Sequence, residues 1–204
     1  MRIGIFGGTF DPPHIGHINA LKTFFEEFEF DSLYVIPVFV PPHKALKSDV
    51  STEDRLNMSR LAFGGISDKI VVSDLEIKRR GKSYTADTIR HFKEQGCDEI
   101  YFLCGTDMLL TLDMWYKPDY IFSNAKIVFA RRESDSDNTE KIAEKIKMYK
   151  EIFSAEIIEM KTKVLEISST QIREGLEQGV SEYLSPSVLD YIFEHGLYGL
   201  NKDR

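Results

Sequence analysis

The sequence predicts an α/β fold: a Rossmann-like open parallel sheet flanked by helices on both faces, in a single domain. Three observations lead there. Short apolar runs rich in β-branched and aromatic residues recur along the chain. Each is too short for a buried helix and fits a strand buried on both faces. Stretches of helical periodicity lie between the runs, and such alternation indicates a parallel sheet covered on both sides. No internal repeat or long linker divides the 204 residues, a length that supplies one domain with a real core. The expectation is one domain over residues 1–204, with a C-terminal helical part at about 168–198 packed on it.

The expected strands are residues 3–6, 33–39, 70–72, 100–103, 127–130 and 157–158. The first helix begins near His14 and places Ile15, Ile18, Leu21, Phe25 and Phe28 on one face. A second spans 51–63, with Glu53 and Asp54 in its first turn. A third spans 85–95 and ends at Gly96, since glycine accepts the left-handed conformation that closes many helices. A fourth spans 138–153. Two more span 169–178 and 187–195, ended by Gly179 and Gly196, with Pro186 suited to the first turn of the last. There Leu189, Ile192 and Phe193 read as core. The charged stretches 78–82 and 131–138 read as solvated loops.

Composition narrows the function. Hydrophobic residues are 42% and charged residues 29%, a soluble globular balance and not a disordered one. The net charge of −7 argues against a nucleic-acid partner, since a duplex binder carries a basic excess. Cys97 and Cys104 make neither a metal-ligand spacing nor a disulfide framework and read as buried thiols in a reducing compartment. The opening residues lack the apolar segment of a signal peptide. The longest apolar stretch, 33–40, is broken by Pro37 and is too short to span a bilayer. A cytoplasmic protein with no membrane partner is expected; a homo-oligomer is left open.

In parallel sheets, ligands bind outside the carboxyl ends of the strands. The first strand runs into Gly7-Gly8-Thr9-Phe10-Asp11-Pro12-Pro13-His14-Ile15-Gly16-His17. Two glycines permit a sharp turn and a close approach. The helix behind them aims its free N–H groups at the mouth of the sheet, a natural anion site. His14 and His17, three apart, share one face of the first turn, and Gly16 leaves room for a ligand. A lone histidine is usually a packed ring, and a Gly-Gly pair usually a tight turn; both together between strand and helix are harder to explain by packing. No Walker lysine and no dinucleotide GxGxxG is present.

HIGH preceded by GGTFDPP resembles the HxGH nucleotidylyltransferase superfamily. HIGH alone would also fit a class I aminoacyl-tRNA synthetase, but the preceding residues, the short chain and the lack of a KMSKS-like loop point away from one. Ile167-Ser168-Ser169-Thr170-Gln171-Ile172-Arg173 is similar to the ISSTxIR element of the superfamily, about 150 residues after the first motif. Physically it is another helix N-terminus with hydroxyl residues, ordinary as caps; the resemblance makes it a phosphate site with Arg173 as cation. Three further elements, PVFVPPHK after strand two, SYTADT at the third helix and GTD after strand four with Trp115 beyond, resemble the bacterial nicotinate mononucleotide adenylyltransferases. The resemblance covers nearly the whole chain.

The resemblance implies adenylyl transfer from ATP to nicotinate mononucleotide, with Mg²⁺ bound to the ATP and no metal held by the protein alone. It implies that His14, His17, Arg173 and Lys44 serve the chemistry. ATP would be met by Gly7, Gly8, Thr9, Phe10, His14, His17, Gly105, Asp107, Ile167, Ser168, Ser169 and Arg173. The mononucleotide would be met by Thr9, His43, Lys44, Tyr84, Thr85, Trp115 and Arg132. Read as residues, Asp107 could accept from ribose hydroxyls or cap a helix. Trp115 could stack on a pyridine ring or plug a core. The Thr85 amide could receive a carboxylate, or Ser83 and Thr85 could merely cap. A nicotinamide mononucleotide adenylyltransferase, a pantetheine-phosphate adenylyltransferase and a non-catalytic nucleotide sensor stay open as alternatives.

Overall fold

The computed structural model describes residues 1–42, 48–131, 138–161, 165, 167–176, 178 and 181–200. Six strands, β1 (Arg2–Gly8), β2 (Ser32–Pro37), β3 (Ile70–Val72), β4 (Glu99–Gly105), β5 (Lys126–Ala130) and β6 (Ile157–Glu159), form one sheet in the order β3-β2-β1-β4-β5-β6. Every neighbouring pair is parallel. The helices are α1 (Ile15–Glu27), α2 (Thr52–Phe63), α3 (Leu75–Arg79), α4 (Thr85–Glu94), α5 (Thr106–Leu109), α6 (Pro118–Asn124), α7 (Thr139–Phe153), α8 (Ser169–Leu176) and α9 (Pro186–His195). From β1 the chain works outward to β2 and β3; from β4 it works outward to β5 and β6. The crossovers therefore leave in opposite directions between β1 and β4, and a crevice opens above their carboxyl ends.

Alternation along each strand fills two cores. Phe6, Tyr101, Leu103, Val128 and Ala130 join Leu21 and Phe24 of α1, Met58 and Phe63 of α2, Ile172 of α8, and Val188 and Ile192 of α9. Ile3, Ile5, Ile100, Phe102, Ile127 and Phe129 join Ile89 and Phe92 of α4, Ile121 of α6, and Ile142 and Tyr149 of α7. Both faces are thus buried, which is why the strands read as continuous apolar runs. Among the described residues no helix is long and apolar enough to cross a membrane.

The structure departs from the expected elements at identifiable points. β2 stops at Pro37, opposite Gly8 at the end of β1, so no partner strand continues beside residues 38 and 39. On α1 the stripe is rotated: Leu21 and Phe24 are fully buried, while Ile18, Phe25 and Phe28 flank them. The stretch 78–82 is not all loop, because Lys78 and Arg79 form the last turn of α3. Arg80 and Gly81, with φ of 59° and 72°, turn the chain out of it. Helices α3, α5 and α6 escape periodicity because each is two turns or less. Gly96 and Gly196 take positive φ, as helix-ending glycines do. Gly179 and residues 132–137 lie outside the described residues.

At the amino ends of the strands an ion cluster stitches the sheet. Glu99 on β4 accepts from Lys126 Nζ on β5 at 2.7 Å and from Arg2 Nε on β1 at 2.6 Å. The Tyr101 hydroxyl adds a third bond at 3.0 Å. Lys126 and Arg2 hold the Glu99 carboxyl well below its usual 4.5, at about 2. A depressed acid contributes stability that is full above its unfolded value and is lost as pH falls through its folded one. Glu99→Gln is therefore expected to be less stable than the parent above pH 4.5, with the gap closing between pH 4.5 and about 2. Urea unfolding of both proteins across that range checks it; a gap independent of pH would remove the ion cluster as its cause.

Candidate active site

Two cavities open side by side over the carboxyl ends of β1 and β4. The first holds about 420 Å³ and the second about 400 Å³. Gly7, Gly8, Thr9, Asp107 and Met108 line both, so they form a shared wall at the crevice. Every residue that the resemblance assigned to ATP lines the second cavity. Of the mononucleotide set, Thr9, Tyr84, Thr85 and Trp115 line the first. His43, Lys44 and Arg132 lie outside the described residues.

The turn after β1 is made differently from what the glycines suggested. Positive φ falls on Phe10, at 49°, and not on Gly7 or Gly8. Gly8 instead makes room for packing, since a Cβ there would lie 2.8 Å from the Phe10 ring. That ring is buried against Phe6, Phe63 and His17, which leaves backbone as what Phe10 presents to the cavity.

His14 is the N-cap of α1, and it caps with its ring. His17 N donates to His14 Nδ1 at 3.4 Å, and His14 N donates to His17 Nδ1 at 3.3 Å. This is a reciprocal capping box made of two imidazoles, whose centroids are 3.7 Å apart. Because each Nδ1 accepts, the neutral ring carries its proton on Nε2, so each imidazole is a donor at its far side. Gly16 is where it is because of His14: a Cβ there would lie 3.0 Å from His14 Nδ1 and 3.3 Å from the Leu165 carbonyl. Gly16 also lines the second cavity, so its bare backbone borders the space left for a ligand.

Arg173 on α8 lies beside the same loop. Its Nη1 donates to the Asp11 carbonyl and sits 3.5 Å from Asp11 Oδ2, while Nη2 donates to Thr170 Oγ1 at 3.1 Å. Ser169 Oγ donates to the Pro12 carbonyl at 2.9 Å. Ser168 Oγ accepts from Gln171 N at 3.2 Å while Ser168 N donates to the Gln171 side chain at 3.0 Å, a capping box. Both serine hydroxyls thus hold protein in place, and the first turn of α8 lines the second cavity through Ser169 and Thr170. Across the crevice, Gly105 is the N-cap of α5 and makes no side-chain cap; Asp107, one residue into the helix, is exposed on the shared wall.

The first cavity is floored by Ile5, Ile36, Ile89 and Phe102. Tyr84 is the N-cap of α4 with no side-chain cap bond, so neither Ser83 nor Thr85 caps that helix. The Tyr84 ring packs against Tyr116 with centroids 4.4 Å apart and planes tilted by 34°. Trp115 is half-buried: its Nε1 donates to Thr111 Oγ1 at 3.3 Å, and its ring meets Phe102 edge-on. The turn carrying it is anchored from behind. Tyr149 of α7 donates to the Leu109 carbonyl at 2.7 Å and to Asp113 at 2.8 Å, and Lys145 pairs with Asp113 at 2.8 Å.

Comparison with known proteins places this arrangement. The cytidylyltransferase-like family model matches residues 5–175. Proteins named probable nicotinate-nucleotide adenylyltransferase from Lachnoclostridium phytofermentans and Clostridium botulinum are 34% and 36% identical, covering 97% and 95% of this chain and 98% and 97% of their own. The chain belongs to the nicotinate-nucleotide adenylyltransferase family. It is a nucleotidyltransferase. The solved Plasmodium falciparum nicotinic acid mononucleotide adenylyltransferase in complex with NaAD shares its fold, with a TM-score of 0.76 at 22% identity and 99% of each chain covered.

Sequence reading missed polar residues in and behind this nicotinate-nucleotide adenylyltransferase site, Arg55, Glu76 and Thr88 among them. Arg55 of α2 is fully buried. Its Nη1 donates to the Thr9 and Val38 carbonyls at 2.9 and 2.7 Å, and Nη2 to Phe39 at 3.2 Å. It thereby clamps the chain ends of β1 and β2. Glu76 and Thr88 line the first cavity; Arg55 lies behind it. A polar residue within an apolar helical stripe is the only sequence signal for Arg55, and it does not say which carbonyls the side chain will find.

The Gly16 contact can be tested with one methyl group. Alanine favours a helix over glycine by about 1 kcal/mol, but its Cβ would push the His14 ring. Gly16→Ala is expected to leave the thermal midpoint unchanged or raised while turnover falls about tenfold or more. Unchanged turnover would show that the ring can move without consequence.

Proposed function

We propose that this chain transfers the adenylyl group of ATP to nicotinate mononucleotide, giving deamido-NAD and pyrophosphate in NAD biosynthesis. The observation that carries this reading is the division of one crevice into two cavities of unlike chemistry with a common wall. The second is lined by imidazole and guanidinium donors and by the first turns of α1 and α8, which suit a triphosphate. The first has an apolar floor, an indole and the uncapped first turn of α4, which suit a flat ring bearing an anionic group. The relatives' names agree, since each is named a probable nicotinate-nucleotide adenylyltransferase.

The chemistry follows from the charges. A phosphate monoester has a second pKa of about 6 and is largely dianionic near neutral pH, so its oxygen needs no strong general base. That oxygen bonds to the α-phosphorus of ATP, and the bond from that phosphorus to the bridging oxygen of the departing pyrophosphate breaks. The protein's part is to align the two phosphates and to offset negative charge. The Nε2–H groups of His14 and His17 donate to phosphate oxygens, and Arg173 adds fixed positive charge, with Lys44 as a further cation. Asp107 on the shared wall accepts from ribose hydroxyls, and Trp115 stacks on the pyridine.

Mg²⁺ is proposed to arrive with the ATP. Among the described residues no three His, Cys, Asp or Glu side chains converge as a resident metal site would require, and the Asp11 carboxylate is taken up by Ser48 and Tyr198. An ion held by phosphate oxygens and water needs few protein ligands. When bound, the ion offsets phosphate charge.

His17→Ala is expected to fold normally and to lower kcat by roughly 10²–10³, the scale of losing one transition-state donor. Stopped assays of pyrophosphate release check it, and near-normal turnover in a folded variant would take His17 out of the mechanism. The choice of substrate is tested by kcat/KM for nicotinate mononucleotide, nicotinamide mononucleotide and phosphopantetheine with MgATP. A carboxylate can accept from two helix N–H groups where a carboxamide must turn a donor toward donors. A preference for nicotinate of about 10²-fold or more is expected. Equal values, or a preference for the amide, would sink the assignment and leave adenylyl transfer standing.

A further inference from the structure

We propose that Glu76 is a positioning residue for the pyridine nucleotide, its carboxyl group fixing the first turn of α4 at the edge of the first cavity; the inference rests on the substrate reading above. The starting point is an oddity of burial. Glu76 sits on α3, is 7% exposed, and lines a cavity whose floor is otherwise apolar. Its Oε1 accepts from the Thr88 hydroxyl at 2.6 Å, whereas Oε2 is buried with no hydrogen-bond partner among the described residues. An acid used only for packing would be replaced at no loss by an apolar side chain of similar size. A buried carboxyl with one oxygen unsatisfied, on a residue that lines a ligand cavity, calls for another reason.

The reason lies in what Thr88 belongs to. It is one turn along α4 from Thr85. Its hydroxyl, having donated to Glu76, accepts from both terminal nitrogens of Arg79 at 3.2 Å. Arg79 also sits 3.8 Å from Glu76 Oε1. A guanidinium, a hydroxyl and a carboxyl therefore lock α3 onto the start of α4. Ser83 extends the lock: its Oγ accepts from Phe39 N at 3.0 Å, and its own N donates to the Val40 carbonyl at 2.9 Å. The Ser83 hydroxyl lies near the Glu76 carboxyl and favours its charged form, although no bond of ordinary geometry reaches Oε2.

The first turn of α4 needs such help because it has no cap of its own. Tyr84 makes no side-chain bond to it, and a helix start without a cap leaves its N–H groups to water or to a ligand. Those N–H groups read the base in the proposed reaction, so their placement decides affinity for the mononucleotide. ATP, in the second cavity, touches none of this. Burial pushes the Glu76 carboxyl above its usual range, against the opposing pull of Thr88, Ser83 and Arg79.

The test is a split between the two substrates. Initial rates with MgATP and nicotinate mononucleotide give kcat and both KM values for the parent, Glu76→Ala, Glu76→Gln and Thr88→Val, with thermal unfolding run beside them. Glu76→Ala is expected to raise KM for the mononucleotide about tenfold and to leave KM for ATP within about twofold. Glutamine keeps an acceptor for Thr88 and is expected to restore most of the affinity. Thr88→Val removes the same bond from the α4 side and is expected to reproduce the split, also serving if Glu76→Ala does not fold. Equal changes in both KM values, a fall in kcat alone, or glutamine no better than alanine would overturn the inference. A parent protein that does not turn over nicotinate mononucleotide would instead overturn the substrate reading, and this one with it; an active parent whose variants show no split overturns this inference alone.

Discussion

A carboxylate taken out of water must be neutralised where it lies, and Asp11 imposes that demand on distant parts of the chain. It is 4% exposed. Ser48 donates to both of its oxygens at 2.7 Å, Tyr198 donates to Oδ1 at 2.8 Å, and Arg173 pairs with Oδ2. The buried guanidinium of Arg55 adds its charge through space. Burial and the adjacent Asp11 push the Tyr198 phenol far above its ordinary range, so it remains a donor. One acidic side chain in the loop after β1 thus gathers α2, α8 and the turn Leu197–Gly199. Removing Arg173 would leave the Asp11 charge without its paired cation in a region of low dielectric, the costly direction for such networks.

The same network places the catalytic candidates. Arg173 reaches the second cavity because Asp11 and Thr170 fix its guanidinium. His14 and His17 face it because their Nδ1 atoms are occupied in capping α1. Arg55 holds the Thr9 and Val38 carbonyls, and Thr9 lies on the wall common to both cavities. In the proposed reaction two anionic phosphates meet at that wall, and what the protein supplies is donors whose positions are settled before either arrives. Positioning of that kind lowers a barrier without a nucleophile or base of the protein's own.

The first cavity is built by different means. Its floor comes from alternate residues of β1, β2 and β4, and its rim from short elements held at a distance by α7 and α3. Tyr149, on α7, fixes the turn before Trp115 through Asp113 and Leu109, and α3 fixes α4 through Glu76 and Thr88. In the proposed reaction this cavity receives a flat aromatic ring, which needs little directional bonding along its faces beyond an apolar floor and an indole to stack on.

The strand–helix alternation was legible in the sequence because both faces of the sheet are buried, so each strand leaves a continuous apolar run, and because Gly96 and Gly196 mark helix ends. The residues about the second cavity were legible as well: glycines, histidines and hydroxyls cluster next to strand and helix ends, where backbone geometry confines what they can do. The sequence by itself determined the sheet, its helices and the loops that carry polar groups. Tertiary structure alone decided that Gly8 and Gly16 make room for Phe10 and His14, that Ser168 and Ser169 hold protein, and that Arg55, Glu76 and Arg79 turn inward. The physical reason is range. A strand or helix is specified by neighbours a few residues away, whereas a buried charge is specified by whichever carbonyl, hydroxyl or carboxylate the completed fold brings to it, 46 residues away in sequence for Arg55 and Thr9 and 162 for Arg173 and Asp11.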